Sequence, residues 1–252
     1  MAADTLFSFV ETLQGSRRWG RVLDAGTGEH SLVWLATLAT ESWTAVTGEA
    51  SVARRLETQF TAAMRPADAI VCGNWSDPTF LHGECYDVVI ADYLLGAIDG
   101  FAPYYQDRLF HRLRPHAGAR LYVIGLEPYP AEAQNEWGRT ILELTRLRDA
   151  CILLAGHRMY REYPLDWTVR HVEEAAFVVE EARFFPIRYG PRFVEECSKV
   201  VRSKLPYLVD RRLAVELEGA IERLRERALA THDVSGSVPF GEDYVIAARP
   251  RA

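Results

Sequence analysis

A few acidic side chains and one pair of glycines hold the residue types that could do chemistry on a nucleoside. Asp24-Ala25-Gly26-Thr27-Gly28 reads as the end of a short strand followed by a tight turn. Glycine there spares the backbone the angles and the crowding that a Cβ would penalise beside a ligand. A helix opening straight after such a turn aims its free N–H groups at whatever binds. Glu49 closes the run at residues 43–49, roughly twenty residues past the glycines, where a carboxylate can hydrogen-bond a ribose diol. Asp92 with Tyr93, and Glu127, follow two further apolar runs. His, Asp, Glu and Tyr are the groups able to take a proton from an acceptor within hydrogen-bond reach, and His30 beside the turn joins them. For His30, a base and a helix-start cap stand as alternatives. For Glu127, a base and a loop cap do.

Those groups need a frame. Val22 and Leu23 make a first strand, and Leu32, Val33, Leu35 and Leu38 recur at helical spacing behind the glycines. Residues 43–49 form a second strand, and 51–63 a helix with Ser51 as its expected N-cap. A third strand covers 68–73. Residues 86–91 are apolar through their centre, as a parallel strand buried on both faces would be. A helix over 104–113 stops at Arg114-Pro115, and 119–126 is a fifth strand. Leu6, Phe9, Val10 and Leu13 open the chain as an amphipathic helix. Further on, the pattern predicts helices over 137–155 and 165–176, then a sixth strand over 177–185. A strongly helical stretch over 195–230 carries Leu205, Leu208, Leu213, Leu217, Ile221 and Leu224 on one face. A loop over 236–241 leads to a last strand over 244–249.

The acid ahead of two alternating glycines resembles the turn of the class I S-adenosylmethionine-dependent methyltransferases. Their motif is acid-x-Gly-x-Gly-x-Gly, matched by Asp24, Gly26 and Gly28, with His30 standing where the third glycine would be. Nicotinamide dehydrogenases carry G-x-G-x-x-G with no acid in front. The likeness spans residues 21–129 and 244–249. It implies an α/β fold: a seven-stranded Rossmann-like methyltransferase sheet, helices on both faces and a helical insertion before the last strand. One domain over 1–252 is expected. It would comprise a leading helix (1–17), a cofactor-binding core (18–130), an added helix with a pocket segment (131–163), a helix and strand six (164–189), the helical insertion (190–235) and the last strand (236–252). The leading helix would cover the cofactor cleft or simply pack on the sheet.

The resemblance also implies the cofactor, S-adenosyl-L-methionine, and its contacts. Asp24, Gly26, Thr27 and Gly28 would hold it, with Glu49 on the ribose. Asn74 stands where the family has a polar residue for the adenine amino group, and can accept through its carbonyl. Trp75 could lie against the purine or in the core. Ligands in open α/β sheets sit outside the carboxyl ends of the strands, where strand order reverses. Strands one and four flank that point in this family, so Asp92 and Tyr93 would face both the methionine end and the acceptor. Asp92, Tyr93, His30 and Glu127 are the catalytic candidates.

Inserted segments build the acceptor pocket in this family. Here they carry Arg158, Tyr160, Arg161 and Tyr163, which with Tyr93 are the substrate-binding candidates. Arginine forks bind carboxylates bidentately, so a small, carboxylate-bearing metabolite is one expected acceptor. The plainer alternative pairs these arginines with nearby glutamates in solvent. Two rival activities remain: an aminopropyltransferase-like enzyme using a related nucleoside, and a catalytically silent cofactor-binding protein acting through its helical insertion.

Composition narrows the partners. A net charge of -6 argues against nucleic acid. No apolar run approaches the length of a membrane span and no basic start precedes an apolar run, so neither membrane nor signal peptide is expected. Four scattered cysteines with no C-x-x-C read as small core residues of a cytoplasmic protein, and seven histidines show no metal spacing. A homodimer is compatible with all of this.

Overall fold

The computed structural model describes residues 5–235 and 238–251. The helical start expected within 1–17 and the loop expected over 236–241 therefore begin outside the described residues. The described chain divides into two compact units. One is Met1–Glu127, Tyr160–Phe185 and Asp243–Ala252; the other is Pro128–Met159 and Pro186–Glu242.

The first unit is built on a seven-stranded sheet: β1 (Arg21–Asp24), β2 (Ser42–Thr47), β3 (Ala69–Cys72), β4 (Tyr86–Asp92), β5 (Ala117–Leu126), β6 (Phe177–Pro186) and β7 (Glu242–Pro250). Their order is β3-β2-β1-β4-β5-β7-β6. β1 to β5 pair in parallel, and β7 runs antiparallel beside β5. The chain walks outward from β1 to β3 and then returns to place β4 on the other side of β1. Strand order thus reverses between β1 and β4, which opens a crevice at their carboxyl ends.

Alternation along the strands covers both faces. Leu23, Val89, Leu121 and Ile246 enter one apolar cluster, while their neighbours Val22, Val88, Tyr122 and Val245 enter another. The helices of this unit are α1 (Thr5–Gln14), α2 (Glu29–Leu35), α3 (Ala50–Phe60), α4 (Leu94–Ala97), α5 (Gln106–Leu113) and α7 (Leu165–Glu174). Pro115 sits in a 3-10 turn that ends α5, as the residue before a proline disfavours helix. Ser51 is not the N-cap of α3: Glu49 is, and the Ser51 hydroxyl hydrogen-bonds the Glu49 carboxylate instead.

The second unit has its own core around Trp137, Ile141, Leu144, Val194, Val201 and Ile221. It holds α6 (Glu136–Leu154), α8 (Pro191–Lys204) and α9 (Arg211–Ser235). Pro206 breaks what the leucine spacing made one helical stretch, and Asp210 restarts it by accepting from the Arg212 and Leu213 N–H groups. Cys151 and Cys197 are buried there. Cys72 and Cys85, expected in the core, are exposed because β3 is the edge strand and Cys85 precedes β4.

Candidate functional site

The turn after β1 is strung between its two neighbours. The Ala25 N–H donates to Ile90 O at 2.8 Å and the Thr27 N–H to Val46 O at 2.7 Å. Beneath it, Ser31 Oγ accepts from the Gly28 N–H at 3.1 Å and donates to Asp24 Oδ2 at 2.9 Å. Asp24 is only 1% exposed. Burial pushes its carboxyl above the ordinary aspartate range, with hydrogen bonds from the turn pulling the other way. Its Oδ1 is buried with no hydrogen-bond partner.

The glycines do different work from that expected. Neither Gly26 nor Gly28 has a positive φ. A Cβ on Gly26 would meet Leu94 Cδ1 at 2.9 Å, so this position lets α4 pack against the turn. A Cβ on Gly28 would meet nothing within 4 Å, because Gly28 borders a cavity.

That cavity, about 310 Å³, lies at the carboxyl ends of β1, β2, β3 and β4. Gly26, Thr27, Gly28, Glu49, Asn74, Trp75, Asp92, Tyr93 and Tyr160 are all on its wall, brought together from five places in the sequence. Glu49 is exposed in it, at the N-terminus of α3. Asn74 is already committed: its carbonyl accepts from the Ser76 N–H and hydroxyl at 3.0 and 2.9 Å, and its amide donates to Phe101 O at 2.8 Å. Trp75 borders the cavity with a buried indole whose Nε1 donates to Ala25 O at 2.7 Å. Tyr93 adopts a left-handed φ of 47° at the start of α4. Its N–H donates to Ile124 O and its hydroxyl to Asp243 Oδ1 at 2.7 Å, contacts that hold a conformation costing about 1–3 kcal/mol.

Other candidates lie off the wall. Asp24 is behind it, one residue from Ala25. His30 is exposed on α2 with its ring 5.2 Å from Phe7. Glu127 Oε2 accepts the Leu165 N–H at 2.8 Å, so it caps the start of α7. The Tyr163 ring lies tilted against Trp167, with centroids 4.2 Å apart, and the Tyr163 carbonyl accepts the Tyr244 hydroxyl. Arg158 is an exposed residue of the second unit. Arg161 fastens its own segment: its N–H donates to Gly96 O, and its Nε lies 3.6 Å from Oδ2 of buried Asp99. Arg161→Ala would leave that carboxylate with the Tyr104 N–H and Gln106 amide among its partners. A loss of about 1–2 kcal/mol is expected, or a few degrees in Tm. An unchanged Tm would show the pair to be without weight.

Sequence reasoning missed Ser31 and Phe101. Ser31, three residues past Gly28, is the helix-start polar residue that ties Asp24 to the turn. Phe101 lines the cavity beside Gly48, with no local pattern to mark it.

No family model matches the chain, and no curated protein does. Solved structures do. A provisionally named methyltransferase from Bacillus halodurans C-125 shares 15% identity at a TM-score of 0.62, covering 98% of this chain and 99% of that one. The chain has the class I methyltransferase fold. A SAM-dependent methyltransferase from Methanosarcina mazei shares 11% identity at a TM-score of 0.54, over 96% of this chain and 97% of that one. The mycolic acid cyclopropane synthase CmaA1, solved with SAH and CTAB, shares 12% at 0.56, over 96% and 83%. At these identities the likeness is one of fold, and a fold hosts more than one activity.

Proposed function

We propose that the protein is an S-adenosylmethionine-dependent methyltransferase acting on a small molecule. One observation carries the proposal: the acid-glycine turn of β1, Glu49 after β2, Asn74 after β3 and Asp92 of β4 border one cavity at the point where strand order reverses. The donor set fits the cofactor. A buried carboxylate oxygen of Asp24 without a partner suits an amino group, Glu49 suits a ribose diol, and the open side of Gly28 leaves room for a close approach. That a CmaA1 structure on this fold holds SAH supports the same reading.

The cofactor supplies an electrophilic methyl on a sulfonium. The chain's own residues do the rest by orientation and exclusion of water. Tyr93, locked by its bonds to Ile124 and Asp243, and Tyr160 at the rim would orient the acceptor. Asp92 at the end of β4 would accept its proton. Because Asn74 already spends its carbonyl on Ser76, the adenine edge is proposed to rest on Phe101 and the backbone around Gly73 and Asn74. Among the described residues the carboxyl groups on the wall are Glu49 and Asp92, and no arginine, lysine or histidine lines it. Arg161 is spent on Asp99. A neutral or amine-bearing acceptor is therefore favoured over the carboxylate expected from Arg158 and Arg161.

Calorimetry with SAH and, separately, NAD tests the proposal: SAH should bind at micromolar concentration and NAD should not. Failure of SAH to bind the folded protein would end it. Glu49→Ala is expected to weaken SAH about tenfold, the share of one charge-assisted hydrogen bond to the diol. If the 2′-deoxy analogue loses as much affinity on the variant as on the parent, the ribose is held elsewhere.

A further inference from the structure

Large apolar side chains that the second unit leaves in solvent gather at one end of its helices. Val209 is 98% exposed, Val215 67% and Tyr207 60%, and Leu153, Leu154 and Leu213 are exposed as well. Helix register brings them together. Trp137 meets His232 and Glu143 pairs with Arg227, so α6 and α9 run antiparallel and position 154 comes level with 215. The His157 ring lies 5.0 Å from Tyr207, tying the end of α6 to the turn at Leu205–Tyr207.

The same end is cationic. Residues 199–215 carry Lys199, Arg202, Lys204, Arg211 and Arg212 against Asp210, a net charge of +4 in a chain of -6. Both lysines of the sequence are among them. Arg202 pairs with Glu222, and the Asp210 carboxylate is occupied in capping α9. Leaving a valine nearly fully in water costs hydrophobic free energy unless something covers it. Aliphatic side chains framed by arginine and lysine match the boundary of an anionic bilayer. There the apolar groups enter the headgroup region, tyrosine sits at the interface and the long cationic side chains reach phosphates.

We propose that this end of the helical unit docks the protein on an anionic phospholipid surface. Among the described residues no helix is long and apolar enough to cross a membrane, so the contact is with the surface. The sequence-based expectation of no membrane partner rested on the lack of a spanning run, which a surface contact does not need.

Sedimentation of the full chain with vesicles tests the proposal. One set is phosphatidylcholine with about 30 mol% phosphatidylserine, the other phosphatidylcholine alone. Binding to the anionic set should be about tenfold or more stronger, and should fall steeply between about 0.05 and 0.5 M salt. Val209→Asp, at a position outside the core, should weaken it about tenfold with an unchanged Tm. Arg211→Glu with Arg212→Glu should weaken it about twentyfold or more. Absence of pelleting, equal pelleting with both vesicle sets, or variants that pellet like the parent would overturn the proposal. So would a lipid-independent dimer that Val209→Asp dissociates, since the exposed end would then cover a second copy of the chain.

Discussion

Gly28→Val is expected to lower SAH affinity about a hundredfold, near 2.7 kcal/mol, while costing only a few degrees in Tm. The wall position of Gly28 and the open space where its Cβ would stand set this apart from other glycine substitutions. Its backbone is extended, with φ at -124°, so valine adopts it without left-handed strain. The helix start prefers glycine to valine by under about 1 kcal/mol, which bounds the loss of stability. Gly26→Val should behave in the opposite way. Its Cβ meets Leu94 at 2.9 Å, so it overpacks the α4 contact and lowers Tm by about 2–4 °C for each of an expected 1–3 kcal/mol. Melting curves and SAH calorimetry on both variants separate the effects. A folded Gly28→Val protein that binds SAH like the parent would remove the turn from the cofactor site.

Asp24→Asn should stabilise the ligand-free protein at neutral pH and cripple its cofactor binding. Burial raises the Asp24 pKa, so ionising it costs more in the folded chain than in the unfolded one. That penalty is absent below the ordinary aspartate value, grows as pH rises from there to the raised value, and is constant above it. Asparagine abolishes the penalty and keeps an oxygen to accept from Ser31. The variant should therefore melt higher than the parent at pH 7, and the gap should close as pH falls toward about 4. Binding runs the other way, because a ligand ammonium beside Oδ1 would favour the carboxylate. Losing that charge-assisted bond costs roughly 1.5–3 kcal/mol, about ten- to a hundredfold in affinity. Melting against pH, with SAH titrations on both proteins, checks both halves. A variant that keeps full affinity would take Asp24 out of ligand binding and leave it a structural role with Ser31.

These two positions illustrate how the sequence could be read. The motif at Asp24 to Gly28 is local: strand, turn and helix start are consecutive residues, and their spacing alone located the turn. What each glycine does could not be seen there, since Leu94 reaches Gly26 from 68 residues further along the chain while nothing lies within 4 Å of a Cβ on Gly28. The placement of Glu49, Asn74, Trp75, Asp92 and Tyr93 along one cavity was legible for the same reason as the turn. Each lies at or within three residues after the end of a strand whose apolar run is continuous in sequence, and parallel strands put those ends on one edge of the sheet. Arg161, Glu127 and Tyr163 were less legible. Their partners, Asp99, the Leu165 N–H and the Tyr244 hydroxyl, come from separate elements, so no pattern near them distinguishes a pocket lining from a fastening.

By itself, then, the sequence located the strand, turn and helix start over residues 21–35 and the apolar runs of the strands, while the arrangement of the sheet came from the family resemblance and the break between α8 and α9 went unread. Buried apolar runs leave little freedom in where the strands lie. Only the tertiary structure decided which polar side chains are still available to a ligand. It spent Asn74 on Ser76, Arg161 on Asp99 and Glu127 on α7, and left Asp24 Oδ1 without a partner. The physical reason is that buried polar groups must find partners, and which partners lie within about 3 Å is a property of packing between distant segments.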